Sequence, residues 1–106
     1  MRETDLFKPI SDYLKHHGFK VSAEVKDCDI VASRDNDVII VELKKSANMQ
    51  LLIQATRRQQ ITDSVYVAIP DPGNNRRFKG VQQVLKQLEL GLLIVTETAI
   101  GQNVIK

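Results

Sequence analysis

The chain has 106 residues and a formal net charge of +2, with 42% hydrophobic and 26% charged residues. That length fits a single domain over residues 1–106 with one small core, and so balanced a charge argues neither for nor against a nucleic-acid partner. No apolar run approaches the roughly 18–20 residues of a membrane-spanning helix, and no apolar stretch follows the charged start Met1-Arg2-Glu3-Thr4-Asp5, so neither a membrane partner nor a signal peptide is expected. Cys28 is the only cysteine, so no internal disulfide forms, and a cytoplasmic, reducing setting follows.

Residues 3–17 read as a helix with Leu6, Ile10, Tyr13, Leu14 and His17 on one stripe. Thr4 is the expected N-cap and Gly18 the stop. Pro9 demands either a later start or a bend. Residues 19–25 alternate strictly, with Phe19, Val21, Ala23 and Val25 against Lys20, Ser22 and Glu24, as in a half-exposed strand. Residues 28–33 form a second strand, and the polar run Arg34-Asp35-Asn36-Asp37 turns it into a third over residues 38–44. The third strand is apolar on both faces until Glu42, as a central strand should be.

A helix over residues 47–60 carries Met49, Leu52 and Ile53 on one stripe and Gln50, Gln54, Arg57 and Arg58 near another. Residues 64–69 read as a buried strand, and Pro70 to Asn75 as a loop. Val81, Val84, Leu85 and Leu88 mark a further helix, ended by Gly91. Leu92–Thr96 forms another strand, and Asn103–Lys106 a last short one. The fold class is therefore α/β, in the order α-β-β-β-α-β-α-β. The early strands make an antiparallel meander, and right-handed helix crossovers lay the later strands parallel to the central one.

Asp29 and Glu42-Leu43-Lys44 stand out because ionised groups are costly inside stretches that read as buried strand, unless they pair or bind a metal. Alternation along a strand puts Glu42 and Lys44 on one face. Pairing of the second and third strands then brings Asp29 beside them. Two carboxylates and an ammonium at one spot can hold a divalent cation and position a water next to a phosphate. The alternative is a structural salt bridge between Glu42 and Lys44 or a cross-strand partner.

Several segments carry a resemblance to a known superfamily. They are Glu3-Thr4-Asp5-Leu6, Glu24-Val25 with Cys28-Asp29-Ile30-Val31-Ala32, Val41-Glu42-Leu43-Lys44, Leu51-Leu52-Ile53-Gln54-Ala55 and Asp63-Ser64-Val65-Tyr66-Val67-Ala68-Ile69-Pro70. With a helix, three strands, a helix and a strand, they resemble the PD-(D/E)XK nuclease superfamily, and within it a bacterial family of uncharacterised PD-(D/E)XK phosphodiesterases. The first-motif Pro-Asp pair is Cys28-Asp29 here, so only the Asp is kept. Members of that family are usually longer, which leaves open a truncation at the C-terminus or a short member.

The resemblance implies a restriction-endonuclease-like core and a Mg²⁺- or Mn²⁺-dependent phosphodiesterase cleaving nucleic acid, DNA above all, by an activated water. Asp29, Glu42 and the Leu43 carbonyl would hold the metal. Lys44 would assist the attacking water, and Glu3 would support from the first helix, with Asp5 as its competitor. A polar residue on the second helix often faces the site in that superfamily, which implicates Gln54. Arg58, one turn beyond Gln54, could clamp a phosphate. Arg57-Arg58 and the basic loop Arg76-Arg77 with Lys79 are candidate phosphate contacts, against a plain reading as solvated surface.

A homodimer would give so small a domain a longer footprint on a duplex. Three alternatives stand beside this reading. One is a junction-resolvase-like, structure-selective endonuclease, and another is a catalytically silent nucleic-acid-binding domain of the same fold. The third is a structural module whose acids only form ion pairs. His16-His17 diverge on their helix and read as surface and capping residues, and Tyr13 and Tyr66 as core.

Overall fold

The computed structural model describes residues 2–25, 28–73, 76–96 and 100–103. Its elements run α1 (Phe7–His16), β1 (Lys20–Val25), β2 (Cys28–Arg34), β3 (Asp37–Leu43), α2 (Met49–Arg58), β4 (Ser64–Pro70), α3 (Arg76–Gln87), β5 (Gly91–Val95) and β6 (Ile100–Asn103), preceded by a 3₁₀ turn over Glu3–Leu6. The six strands lie in one sheet in sequence order. β1, β2 and β3 form an antiparallel meander; β3, β4 and β5 are parallel; β6 returns antiparallel to β5. The mixed α/β sheet, with an antiparallel meander followed by parallel strands, is that which the sequence predicts, whereas the last strand occupies 100–103, and residues 104–106 lie outside the described ones.

Each face of the sheet buries its own core. On one face Leu6 of the 3₁₀ turn and Ile10 and Leu14 of α1 pack against Ile30, Val41, Ala68 and Leu93. On the other, Leu51 and Ala55 of α2 and Leu85 of α3 pack on Val65, Val67, Ile69 and Leu92. β3 and β4 are central and read as apolar runs because both their faces are covered.

Local chemistry explains where the elements begin and end, including four departures from the sequence reading. The first helical segment breaks into a 3₁₀ turn and α1, the later start that Pro9 demands, and Pro9 falls in the first turn of α1, where its missing N–H has no intrahelical partner to lose. Asp5, rather than Thr4, serves the start of the 3₁₀ turn: its Oδ2 accepts from the Arg2 N–H at 2.8 Å. α1 ends as expected at Gly18 (φ 87°), where Phe19 N–H donates to Leu14 O and Gly18 N–H to Lys15 O, both at 3.0 Å.

The apolar stripe of α2 is the second departure. Leu51 and Ala55 are buried, while Met49 is 69% and Ile53 46% exposed. The third is that Arg76, Arg77 and Lys79 belong to the first turn of α3 and not to a loop. The fourth is the end of α3. Leu90 N–H donates to Leu85 O at 2.9 Å and Glu89 N–H to Lys86 O at 3.1 Å, with Glu89 in the left-handed region at φ 59°. Gly91 does another job: a Cβ there would lie 2.2 Å from the Tyr66 ring, so its bare backbone makes room for the tyrosine.

Candidate functional site: a carboxylate pair on adjacent strands

Asp29 and Glu42 stand across from each other, one step beyond the Ile30–Val41 pair of β2 and β3. Alternation sets Glu42 away from the α1 core that holds Val41, toward Arg58 of α2, whereas Asp29, at the end of its strand, opens onto a cavity shared with the N-terminal segment. The two residues are locked reciprocally. The Asp29 N–H donates to Glu42 Oε2 at 3.1 Å, and the Leu43 N–H donates to Asp29 Oδ2 at 2.8 Å. Each carboxylate thus bonds the neighbouring strand's backbone at the point where β2 and β3 part.

Glu42 is only 2% exposed, and its second oxygen, Oε1, accepts from Arg58 Nε of α2 at 2.6 Å. Charge-assisted bonds of this kind are what a buried carboxylate needs to stay ionised. Burial nevertheless pushes the Glu42 carboxyl above its usual range. Arg58 and the Asp29 N–H pull it back, and the Asp29 carboxylate adds to the upward push.

Glu3 stands on the other side of Asp29. A cavity of about 350 Å³ is lined by Glu3, Phe7, Glu24, Asp29 and Leu43 among others. The structure thereby separates the two N-terminal candidates: Glu3 faces the cavity that Asp29 shares, and Asp5 is taken up in capping. Glu24, which the sequence reading left as an exposed strand residue, lines the same cavity with φ 52°, a left-handed conformation rare for a non-glycine residue.

Of the remaining candidates, only Arg58 has a hydrogen bond or ion pair to this pair among the described residues. Lys44 follows the end of β3 and is half-buried; its N–H donates to Ala68 O at 3.1 Å. Gln54 is half-buried on α2, and Arg57 is exposed. Arg58, read as a phosphate clamp, is instead the ion-pair partner of Glu42. Arg76, Arg77 and Lys79 are exposed at the start of α3. Arg77 and Lys45 line a second open cavity of about 280 Å³ beyond the C-terminal ends of β3 and β4. Lys45 thus shares a basic edge with α3. His17 caps α1, with Nδ1 2.9 Å from Tyr13 O.

The Arg58 contact had a signal in the sequence: Arg58 lies three residues after Ala55 and seven after Leu51, on the stripe that is buried.

Among the described residues, no three His, Cys, Asp or Glu side chains gather closely enough to hold a metal ion. The donor set still suits a hard divalent cation. Asp29 and Glu42 present adjacent carboxylates, and the second oxygen of Asp29 has no protein partner among the described residues. The present counter-charge is the Arg58 guanidinium. No protein-family model, curated protein or solved structure matches the chain. No helix among the described residues is long and apolar enough to cross a membrane.

Proposed function

We propose that this domain is a metal-dependent phosphodiesterase with a restriction-endonuclease-like core, hydrolysing phosphodiester bonds of nucleic acid, DNA above all. The observation that carries the reading is the direct opposition of Asp29 and Glu42 on β2 and β3, with Lys44 two residues on. The meander of β1, β2 and β3, the α2 crossover and the parallel β4 support it. Asp29 and Glu42 would hold Mg²⁺ or Mn²⁺, with the Leu43 carbonyl and Glu3 across the shared cavity as further candidates. A divalent cation there would polarise the phosphoryl group and lower the pKa of a bound water.

The chain's own residues do the rest. Water attacks phosphorus in line as the P–O bond to the leaving 3′ oxygen breaks, leaving a 5′-phosphate. Lys44 holds the attacking water and stabilises the charge that builds on the phosphoryl oxygens. Gln54 orients the water or a phosphate oxygen. Arg57, Arg76, Arg77 and Lys79 contact the strand as exposed cations, so binding weakens steeply with salt. A second copy of the chain extends the footprint. Cys28 stays a reduced, buried thiol in the cytoplasm.

One observation favours a second reading, a catalytically silent nucleic-acid-binding domain: both Glu42 oxygens are already bonded, one of them to Arg58. Plasmid nicking in Mn²⁺ by wild type, Asp29→Asn and Lys44→Ala separates the two. The nuclease reading expects nicking by wild type and its loss in both variants. DNA binding in all three without nicking in any would establish the silent domain. Cutting of branched DNA alone would make the enzyme structure-selective.

A further inference from the structure

The opposite end of the sheet holds a different cavity. It encloses about 320 Å³ between the C-terminus of α1 and the β2–β3 turn. Asp37 marks this end of β3 and Glu42 the other, five residues or about 16 Å away. Its walls are aromatic: Tyr13 from α1, Phe19 after it, and Tyr66 from β4.

The positions of these rings are fixed by the surrounding structure. Tyr66 lies against the bare backbone of Gly91. Arg34 sits with its guanidinium carbon 4.5 Å from the Phe19 ring centroid, and its Nη1 donates to His17 O at 2.8 Å. Gly18, at φ 87°, brings this corner together, since a Cβ there would already touch the Arg34 side chain at 3.4 Å.

Three polar groups of the rim are not used by the fold. Among the described residues the Tyr13 hydroxyl, the Ser64 hydroxyl and the Asp37 carboxylate have no hydrogen-bond partner. Phenylalanine and alanine would serve packing equally well at the first two. Burial raises the Tyr13 and Tyr66 phenols above their usual range, and Tyr66 adds to the shift at Tyr13. Both phenols are therefore protonated donors at neutral pH. The site offers flat apolar faces, hydroxyl donors and one carboxylate acceptor, with Arg34 already engaged.

We propose that this cavity binds the ring of a lactam-bearing heterocycle, the chemistry of guanine, uracil or thymine. The ring stacks on the aromatic walls. Its N–H donates to the Asp37 carboxylate, and its carbonyl accepts from the Tyr13 or Ser64 hydroxyl. Adenine has no lactam edge and binds more weakly. The site stands whether or not the carboxylate pair at the other end binds metal.

Calorimetric titration of guanosine, uridine and adenosine into wild type, Asp37→Ala and Tyr13→Ala tests it. The first two should bind more tightly than adenosine, with about a tenfold loss in each variant. Ser64→Leu, which fills the cavity while keeping both of those groups, should also abolish binding. Oligo(dT) binding with the same pattern of losses would assign the ring to a base in a strand; binding of nucleosides alone would assign it to a free nucleoside. No heat with any nucleoside or oligonucleotide, or binding indifferent to all three substitutions, would overturn the proposal.

Discussion

The two ends of β3 solve opposite problems. At its C-terminal end a carboxylate, Glu42, is almost wholly buried, and every hydrogen bond it makes is to a group fixed by another element: Arg58 on α2 and the Asp29 backbone on β2. At its N-terminal end Asp37 is exposed, and the surroundings are aromatic, with the Tyr13 and Ser64 hydroxyls lacking a hydrogen-bond partner among the described residues. A buried charge is stable only when all its partners are in place, so the first end is brittle. The second can lose a polar group at little cost. A residue at the brittle end is thus under structural demand as well as any chemical one, whereas the Tyr13 hydroxyl, Ser64 hydroxyl and Asp37 carboxylate at the open end have no hydrogen-bond partner among the described residues.

The largest effect that could break this contrast comes from Arg58→Met. It leaves Glu42 buried without its counter-charge and should cost about 3–5 kcal/mol in a denaturant titration. A loss below about 1 kcal/mol would mean that the pair behaves like a surface bridge. The same pair carries a pH signature. Because the folded carboxyl of Glu42 titrates above its ordinary 4.5, its contribution to stability is complete below that value and is lost as pH rises through the raised one. Urea midpoints followed upward from pH 4.5 should show that decline, and Glu42→Gln should remove it.

Gly91→Ala comes next. The added methyl meets the Tyr66 ring and should destabilise by about 1–3 kcal/mol. It should also disturb the open end, which a changed Tyr66 ring signal in NMR would report. A smaller effect is expected at the end of α3. Glu89→Gly relieves a left-handed backbone at a loss of some chain entropy, so it should stabilise by about 0.5 kcal/mol, read from the thermal midpoint. Tyr13→Phe and Asp37→Asn, by contrast, should each change stability by less than about 0.5 kcal/mol, as expected where the fold asks nothing of the polar group.

Much of the architecture was legible. The period-2 run at 19–25, the double-faced apolar run at 38–43 and the polar turn between β2 and β3 all report local constraints that the sheet preserves. The opposition of Asp29 and Glu42 was legible too, because the short turn fixes register and register fixes which side chains meet. What escaped depends on tertiary packing. The buried stripe of α2 differs from its most apolar stripe, since Leu51, Ala55 and the stem of Arg58 face the sheet while Met49 and Ile53 look outward. The Arg58–Glu42 contact follows from that rotation, and its signal, the spacing of Arg58 from Leu51 and Ala55, can be used only once the buried stripe is known. Glycine misled at α3 because Gly91 answers to a ring on β4, a demand that no window of local sequence displays.

The central claim is that the Asp29–Glu42 pair is a divalent-cation site now neutralised by Arg58. Thermal unfolding of wild type and Asp29→Asn, each with and without Mn²⁺ and with a short DNA duplex present, tests it most directly. The account predicts that Mn²⁺ raises the wild-type midpoint and leaves that of Asp29→Asn unmoved, with the metal-free variant folded. An unmoved wild-type midpoint, or an equal rise in both proteins, would contradict it.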